Sequence, residues 1–331
     1  MERLISKKIV LRFGFFLLLA LFVSSVNAGS KDTIEKKFNV QPGGKLLLES
    51  DKGSVEISTT DRDVVEVTVY KDSRWGDDDD LKDFEVRFNQ RGNDVEIIGE
   101  FLRKSSGFFG NRHNKIRIRY VIVVPREYNI EAKTSGGSIE VEDIKGDVFC
   151  KTSGGSLNFG DIKGEVTGRT SGGSITLDGC EGNAEIKTSG GSISIGDVNG
   201  EVTAKTSGGS ISIDRAKGSV YARTSGGSIR VDEVFGSIDA STSGGSVRAK
   251  IAEQPKDDCR LSTSGGSVIV YLASDIKVDL DAHTSGGRVR TEFPVTVRGT
   301  IKRNSLDAKI NGGGPEMYLR TSGGNVEIKE L

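Results

Sequence analysis

The sequence predicts an all-β protein: a parallel β-solenoid of about 18-residue coils with an antiparallel β subdomain at its N-terminal side. Three observations predict this class, namely a short internal repeat, apolar alternation at every second residue within each repeat, and the composition. The 331 residues include 44 Gly but only 5 Pro and 6% aromatic residues, which does not fit two ordinary globular cores. Basic and acidic residues balance at 46 and 47, so no nucleic acid partner is indicated.

Residues 1–28 have the organisation of a secretory signal peptide. A basic start precedes the apolar run FGFFLLLALFV, and the small-residue site VNA ends at Ala28. The run of about 11 residues is shorter than the roughly 20 that a spanning helix needs. We therefore expect export to the periplasm, the cell envelope or the medium, with no transmembrane segment after cleavage. An uncleaved membrane anchor is the alternative.

Residues 29–133 are expected to form an N-terminal antiparallel β subdomain that caps the solenoid. The segments KLLLES, SVEIST, VVEVTVY, FEVRFNQ, DVEIIGEF and KIRIRYVIVV alternate or run apolar, with turns such as RGND between them. Terminal units of solenoids are atypical because they must cover an open edge. The segment SDKGSVEI from Ser50 is a looser early copy of the repeat that follows.

Residues 134–331 carry the repeat itself. TSGG occurs ten times, the first seven copies are 18 residues apart, the next two intervals are 21, and the last is 37. Its Thr residues are 134, 152, 170, 188, 206, 224, 242, 263, 284 and 321. We number each repeat from its Thr as position 0. The last gap holds a degenerate copy, INGGG, and these irregular coils are expected to form the C-terminal cap.

Each repeat predicts two short strands joined by two turns. In the copy at Thr188, apolar residues stand at positions +5, +7, +10, +14 and +16, which gives the strands GSISI and EVTAKT. The alternation points Thr inward, where its hydroxyl is expected to bond the Thr of the next coil. Gly-Gly supplies one turn, and a Gly at +12 in six copies predicts a positive φ in the other.

A stacked solenoid explains this pattern better than an antiparallel meander. A meander of some twenty strands would be one open sheet, and open sheets rarely exceed about ten strands. Burial of five apolar side chains gives at most about 15 kcal/mol per coil, against at least about 18 kcal/mol of backbone entropy for 18 residues. A coil therefore needs stacked neighbours, roughly 4.8 Å away.

Several segments together resemble a known family. They are FNVQPGGKLLLESDKGSVEI, IVVPREYNIEAKTSGGSIEV, the TSGGS array, DAHTSGGRVRTEFPVTVRG and INGGGPEMYLRTSGGNVEI. They resemble a family of bacterial exported β-strand-repeat proteins classed as candidate adhesins and otherwise as a domain of unknown function. The resemblance implies an envelope or surface location, a β-solenoid-like fold and no established catalytic residues.

One column of basic residues is a candidate anion-binding site, which we call the cation stripe. Alternation places the residue before each Thr on the outside, about 5 Å from its neighbours, where like charges repel unless an anion accompanies them. The stripe consists of Lys133, Lys151, Arg169, Lys187, Lys205 and Arg223. An anionic glycan or surface phosphate is the expected ligand, and a solvated face without a ligand is the alternative.

A second candidate is the loop Phe101–Lys115, which places two aromatic residues among cations and could contact a partner protein or a surface. Its candidate residues are Arg103, Lys104, Phe108, Phe109 and Arg112. The alternative is a hairpin tip that folds onto its own domain.

No metal or cofactor is expected. The nine-residue calcium motif of β-rolls needs a third Gly where this repeat has Ile or Val. The run Asp77–Asp80 is at most a weak cation site, and the outward Ser and Thr columns are too mixed for ice binding. Cys150, Cys180 and Cys259 occupy apolar repeat positions, and the first two lie too far apart for a disulfide, so we expect buried free thiols.

The sequence therefore predicts a non-catalytic, adhesin-like surface or envelope protein that binds a polymer or a protein partner along the solenoid. A structural or self-associating scaffold without a specific ligand is the main alternative. Motifs such as HExxH, GxSxG, CxxC, the Walker loop and GxGxxG are absent. A polysaccharide-active β-helix enzyme is a minor alternative, because it would need an irregular cluster of carboxylates that interrupts the repeat.

Overall fold

The computed structural model describes residues 31–73, 81–102, 116–297, 299 and 302–331, and these form two long, mostly parallel β-sheets. Sheet A contains β1 (Lys31–Asn39), β3 (Ser54–Thr60), β4 (Val64–Ser73), β7 (Ile116–Pro125), β9 (Ile139–Val141), β10 (Ile144–Lys145), β12 (Leu157–Lys163), β14 (Ile175–Cys180), β16 (Ile193–Val198), β18 (Ile211–Ala216), β20 (Ile229–Val234), β22 (Val247–Ile251), β24 (Val268–Leu272), β26 (Val289–Thr291) and β30 (Val326–Glu330).

Sheet B contains β2 (Lys45–Ser50), β5 (Phe84–Arg91), β6 (Asp94–Phe101), β8 (Asn129–Thr134), β11 (Val148–Thr152), β13 (Val166–Arg169), β15 (Ala184–Lys187), β17 (Val202–Lys205), β19 (Val220–Arg223), β21 (Ile238–Thr242), β23 (Cys259–Thr263), β25 (Val278–Thr284), β27 (Val295–Val297), β28 (Ser305–Ile310) and β29 (Glu316–Thr321). The predicted signal peptide lies outside the described residues, as do Asp77–Asp80 and the loop candidates Arg103, Lys104, Phe108, Phe109 and Arg112.

Each 18-residue repeat forms one coil with a strand in each sheet. Ile193 of β16 pairs with Ile211 of β18 in sheet A, and Val202 of β17 pairs with Val220 of β19 in sheet B, both in parallel. Equivalent positions of successive repeats therefore stack directly on one another. The predicted parallel β-solenoid is confirmed, and the strands of its coils fall into two sheets.

The apolar repeat positions form one continuous core between the two sheets. In the repeat at Thr188 all five predicted positions are buried: Ile193, Ile195, Val198, Val202 and Ala204. The side chains of the intervening residues point outward, since alternate residues of a strand face opposite sides of its sheet. Pairing in sheet A is interrupted at position +8, where Gly196 has no pairing partner in either neighbouring strand, and the register of 18 residues is the same at Ile195 and at Asp197. Across this interruption the inward-facing positions change from +5 and +7, at Ile193 and Ile195, to +10 at Val198.

The TSGG turns stack through a hydrogen bond between threonine and glycine. Thr206 is buried as predicted, but its hydroxyl donates to the carbonyl of Gly191 in the preceding coil, at 2.8 Å. The expected bond between threonines is therefore wrong. The same bond recurs in the strict repeats, for example from Thr188 to Gly173 at 2.8 Å.

Most glycines of the repeat turns are required because the backbone of the preceding coil lies too close to admit a side chain. Few of them have a positive φ. Of the six glycines at +12, only Gly146 has a positive φ, so the prediction fails for the other five. A Cβ on Gly164 would lie 2.3 Å from the carbonyl oxygen of Gly146 in the preceding coil. The second Gly of TSGG is equally confined, because a Cβ on Gly209 would lie 2.2 Å from the Gly191 oxygen.

The N-terminal strands begin as coils and end in antiparallel edges. β2 and β3 stack in parallel on β8 and β9, and Ser50 aligns with Thr134, which confirms the early copy of the repeat. β6 and β7 form the next layer outward. Antiparallel pairing appears beyond it, where β4 and β1 extend sheet A and β5 extends sheet B.

The C-terminal strands do not follow chain order. β29 lies between β23 and β25 in sheet B, and β30 lies between β24 and β26 in sheet A. The coil formed by residues 316–330 is thus inserted into the stack. The predicted degenerate copy INGGG is instead the turn between β28 and β29, with positive φ at Asn311, Gly312 and Gly313.

Candidate functional site

The cation stripe lies on the outer face of sheet B, one residue per strand. Lys133 and Lys151 pair across β8 and β11, and the column continues through Arg169, Lys187 and Lys205. Arg223 of β19 follows, paired with Lys205, and Ser241 of β21 ends the column. The structure therefore brings together all six predicted residues. Five steps between neighbouring strands give a stripe about 24 Å long.

Carboxylates on the same face neutralise part of the stripe. The ammonium of Lys133 lies 2.7 Å from Glu131, and the guanidinium of Arg169 lies 2.8 Å from Glu185, which Lys187 also contacts. Lys187 and, less strongly, Arg169 hold the pKa of Glu185 below its ordinary value of 4.5. The hydrogen bonds from Lys133 and Lys45 likewise lower the pKa of Glu131. Both carboxylates are therefore ionised at neutral pH.

The sequence analysis did not identify two residues that form ion pairs at the stripe, Lys45 and Asp239. Lys45 of β2 forms an ion pair with Glu131, and Arg223 lies 3.3 Å from Asp239 in the next coil. Asp239 is 16 residues beyond Arg223 in the sequence, as Glu185 is beyond Arg169. With an 18-residue coil, a separation of 16 places two residues diagonally across neighbouring strands. That spacing is the signal that could have identified Asp239.

Aromatic rings occupy the outward column beside the stripe. The Tyr221 ring has the ammonium of Lys205 at 4.5 Å and the guanidinium of Arg223 at 4.7 Å from its centroid. The ammonium of Lys133 lies 5.7 Å from the centroid of Phe149. Cations over ring faces are attracted by the ring quadrupole, at about 0.5–1 kcal/mol for exposed pairs. The rings thus hold these side chains in place without cancelling their charge.

Two lysines of the stripe have no carboxylate partner among the residues that the structure describes. Lys151 is exposed and forms no ion pair there, and Lys205 likewise forms none and lies over the Tyr221 ring. Lys133, Arg169, Lys187 and Arg223 each have a carboxylate within 4.0 Å. Lys151 and Lys205 are therefore the two cations of the stripe that have no described carboxylate beside them, while Arg169 and Lys187 share the single negative charge of Glu185.

The outer face of sheet A is built differently. Its serine column is used in stacking, since the Ser192 Oγ accepts a hydrogen bond from the backbone N–H of Ser210 at 3.2 Å. A shallow groove of about 620 Å³ lies beside Glu140, Glu142, Asp178 and Arg126. Among the described residues, no group of three or more His, Cys, Asp or Glu side chains could hold a metal ion.

The three cysteines are buried and unpaired, as the sequence predicts. Cys150 and Cys259 lie in sheet B strands, and Cys180 ends the sheet A strand β14. Burial raises the pKa of each thiol, that of Cys259 to about 11. The thiolate is the reactive form of cysteine, so these residues are core side chains.

The fold and this face define a class: a two-sided β-solenoid with long, flat, charged outer faces. The chain belongs to the Toastrack DUF4097 family, whose model matches residues 44–329. This assignment confirms the resemblance noted in the sequence. No curated protein matches the chain.

Several solved structures are similar to the chain at low identity. A "putative cell adhesion protein" from Clostridium sporogenes ATCC 15579 is 15% identical, with coverage of 91% of this chain and 100% of that chain and a TM-score of 0.23. A "putative adhesin" from Bacteroides fragilis NCTC 9343 is 13% identical, with coverages of 91% and 98% and a TM-score of 0.26. A "putative lipid binding protein" from Parabacteroides distasonis ATCC 8503 is 14% identical, with coverages of 91% and 96% and a TM-score of 0.28. The family assignment depends on the family model, because TM-scores this low do not establish a common fold.

Proposed function

We propose that the protein is a non-catalytic, exported, adhesin-like contact protein that binds an anionic polymer on the outer face of sheet B. The cation stripe is the observation that carries this proposal, because it aligns six basic side chains at the strand spacing on one flat face. A polymer with repeated negative charges can contact several of them at once. The names of two similar solved structures refer to adhesion, and the proposal agrees with those names without depending on them.

Export is part of the proposal and is supported by the sequence of residues 1–28. In the described part of the chain, no helix is long and apolar enough to cross a membrane. An exported protein can reach polymers of the cell surface or envelope, so such a polymer is a suitable ligand. Cell-wall polysaccharides and lipid headgroups commonly carry phosphate or carboxylate groups, which basic side chains near a surface attract at about 1 kcal/mol each.

The main alternative is a scaffold that assembles end to end through its open sheet edges. The edge strand β1 opposes this assembly, since it carries Lys31, Asp32, Glu35, Lys36 and Lys37 and is largely exposed. Charged edge strands resist pairing with another chain. At the other end, β26 and β27 are only three residues long. These edges favour a capped, discrete particle over a filament.

Co-sedimentation with beads of dextran sulfate, beads of neutral dextran and intact cells tests the proposal. The purified protein from Gly29 to Leu331 is compared with a stripe variant in which Lys151, Arg169, Lys187, Lys205 and Arg223 are changed to Ser. A matched control changes five exposed lysines outside the sheet B face, Lys145, Lys163, Lys217, Lys256 and Lys277, to Ser. Both variants lose five positive charges.

We expect wild type and control to bind dextran sulfate in a salt-sensitive manner and the stripe variant to lose binding. Equal loss in both variants would show a response to net charge alone and reject the stripe as the site. Absence of binding by the wild type to any of the three targets would reject the proposed function.

A further inference from the structure

We infer that Lys151 and Lys205 are the two anchoring residues of the stripe and that the other four cations contribute little to ligand affinity. This inference rests on the proposed function and assigns its specificity to two positions. The anchors would recognise a linear polyanion that carries sulfate, phosphate or carboxylate groups. A small single anion would engage only one of them.

The pairing of the stripe supports this division. Glu185 contacts both Arg169 and Lys187 at the centre of the stripe, Glu131 contacts Lys133 at one end, and Asp239 contacts Arg223 at the other. An incoming anion competes with a carboxylate at each of these four cations, although Arg169 and Lys187 share the single charge of Glu185. Lys151 and Lys205 impose no such exchange, because neither forms an ion pair with any described residue.

An aromatic residue lies near each of the two lysines on the outer face, although in different positions relative to the lysine. Lys205 lies over the Tyr221 ring, with its ammonium 4.5 Å from the centroid, and Lys151 follows Phe149 by two residues on the same face of β11. Of the two lysines, only Lys205 has a cation–ring contact with a described residue, while Lys151 shares the outer face of β11 with Phe149. Since a ring offers no carboxylate, the charge of each lysine is available to a ligand.

The spacing of the anchors defines the ligand. Lys151 and Lys205 are three strands apart along sheet B, which corresponds to about 14 Å. Glu185 lies on the face between them and repels negative charge there. A ligand that contacts both anchors must therefore span about 14 Å along the solenoid axis and pass over Glu185.

A pair of double variants tests the inference with dextran sulfate in solution. The anchor variant is Lys151→Ser with Lys205→Ser, and the control is Lys133→Ser with Lys187→Ser. Both remove two lysines that lie three strands apart on the same face. The control leaves Glu131 paired with Lys45 and Glu185 paired with Arg169, so no carboxylate is left alone.

We expect the anchor variant to weaken binding by about tenfold or more at low salt and the control by less than about threefold. Inorganic sulfate should not compete at concentrations that match the sulfate content of the polymer. Equal losses in the two variants would overturn the inference and leave the proposed function standing, since the stripe would then act as a uniform charge array. Absence of wild-type binding would instead reject the proposed function, and the inference with it. Thermal unfolding of each variant checks that the fold is retained.

Discussion

The hydroxyl of Thr206, a buried residue, donates a hydrogen bond to the carbonyl of Gly191 in the preceding coil, at 2.8 Å. Its repetition along the TSGG turns fastens each coil to the one before it. The Thr206→Val substitution keeps the side-chain shape and removes the donor. We expect a loss of about 1 kcal/mol in the free energy of unfolding, measured in urea.

Thr203→Val is the matched control for this prediction, because Thr203 lies on the outer face of β17, the strand that leads directly into Thr206. It should change the free energy of unfolding by less than about 0.5 kcal/mol. If the two substitutions cost the same, the hydroxyl of Thr206 does not contribute to stacking.

The two glycines of one TSGG turn should respond differently to alanine. A Cβ on Gly155 would lie 2.0 Å from the Gly137 oxygen in the stacked coil, whereas a Cβ on Gly154 would meet its nearest atom at 4.0 Å. We expect Gly155→Ala to lower the free energy of unfolding by about 1–3 kcal/mol through forced movement of the backbone. Gly154→Ala should stay within about 0.5 kcal/mol of wild type. Urea unfolding of both variants measures the difference, and equal stabilities would contradict the stacking argument.

The cysteines should be unreactive in the folded protein. Cys150 is completely buried, and burial raises the pKa of all three thiols. A chromogenic aromatic disulfide reagent at pH 8 is therefore expected to label none of them in native protein and all three in denaturant. Rapid labelling of native protein would show that a thiol reaches solvent.

Binding of a sulfated polymer should not depend on pH between about 8 and 5. Ion pairing lowers the pKa of Glu131 and Glu185 below 4.5, so both remain ionised throughout this range. The stabilisation from these pairs is present above the unfolded-state pKa and is lost as the pH falls through the lower folded-state pKa. As the pH falls through these lowered pKa values, protonation should release cations of the stripe, and affinity for the polymer should rise.

Glu185→Gln provides the control for the pH prediction. The variant should bind dextran sulfate more tightly than wild type at pH 7, since Arg169 and Lys187 lose their shared carboxylate. It should also gain less affinity on acidification. A decrease in affinity at pH 7 would show that Glu185 holds the two cations in a binding geometry.

The sequence predicts the features that repeat. The coil length, the inward Thr, the buried positions such as Ile193 and Val202, and the alignment of the stripe all follow from one period and one alternation. These features depend on neighbours within a coil or one period away. Because the strict repeats are 18 residues apart, the residues that stack on one another can be recognised in a single sequence.

Features that depend on coil-to-coil contact or on strand order could not be predicted in the same way. The glycine at +12 is confined by the backbone of the preceding coil, and this contact is not apparent from the turn sequence, which suggests a positive φ instead. The neutralisation of Arg223 by Asp239 needs a diagonal contact between strands. The insertion of β29 beside β23 joins residues 58 positions apart, as in the pairing of Cys259 with Met317, and no period indicates it.

The inserted coil imposes an order on assembly. β26 pairs only with β30 among the described strands, and the sheet A edge of β24 also awaits β30. In a chain that is exported with its N-terminus first, the early coils can stack as soon as they are exported. The outer edges of β23 and β24 must stay unpaired until residues 316–330 have been exported as well. The C-terminal end of the solenoid therefore forms only after β29 and β30 are present. A chain truncated before them would leave the edges of β23 and β24 unpaired and able to pair with other chains.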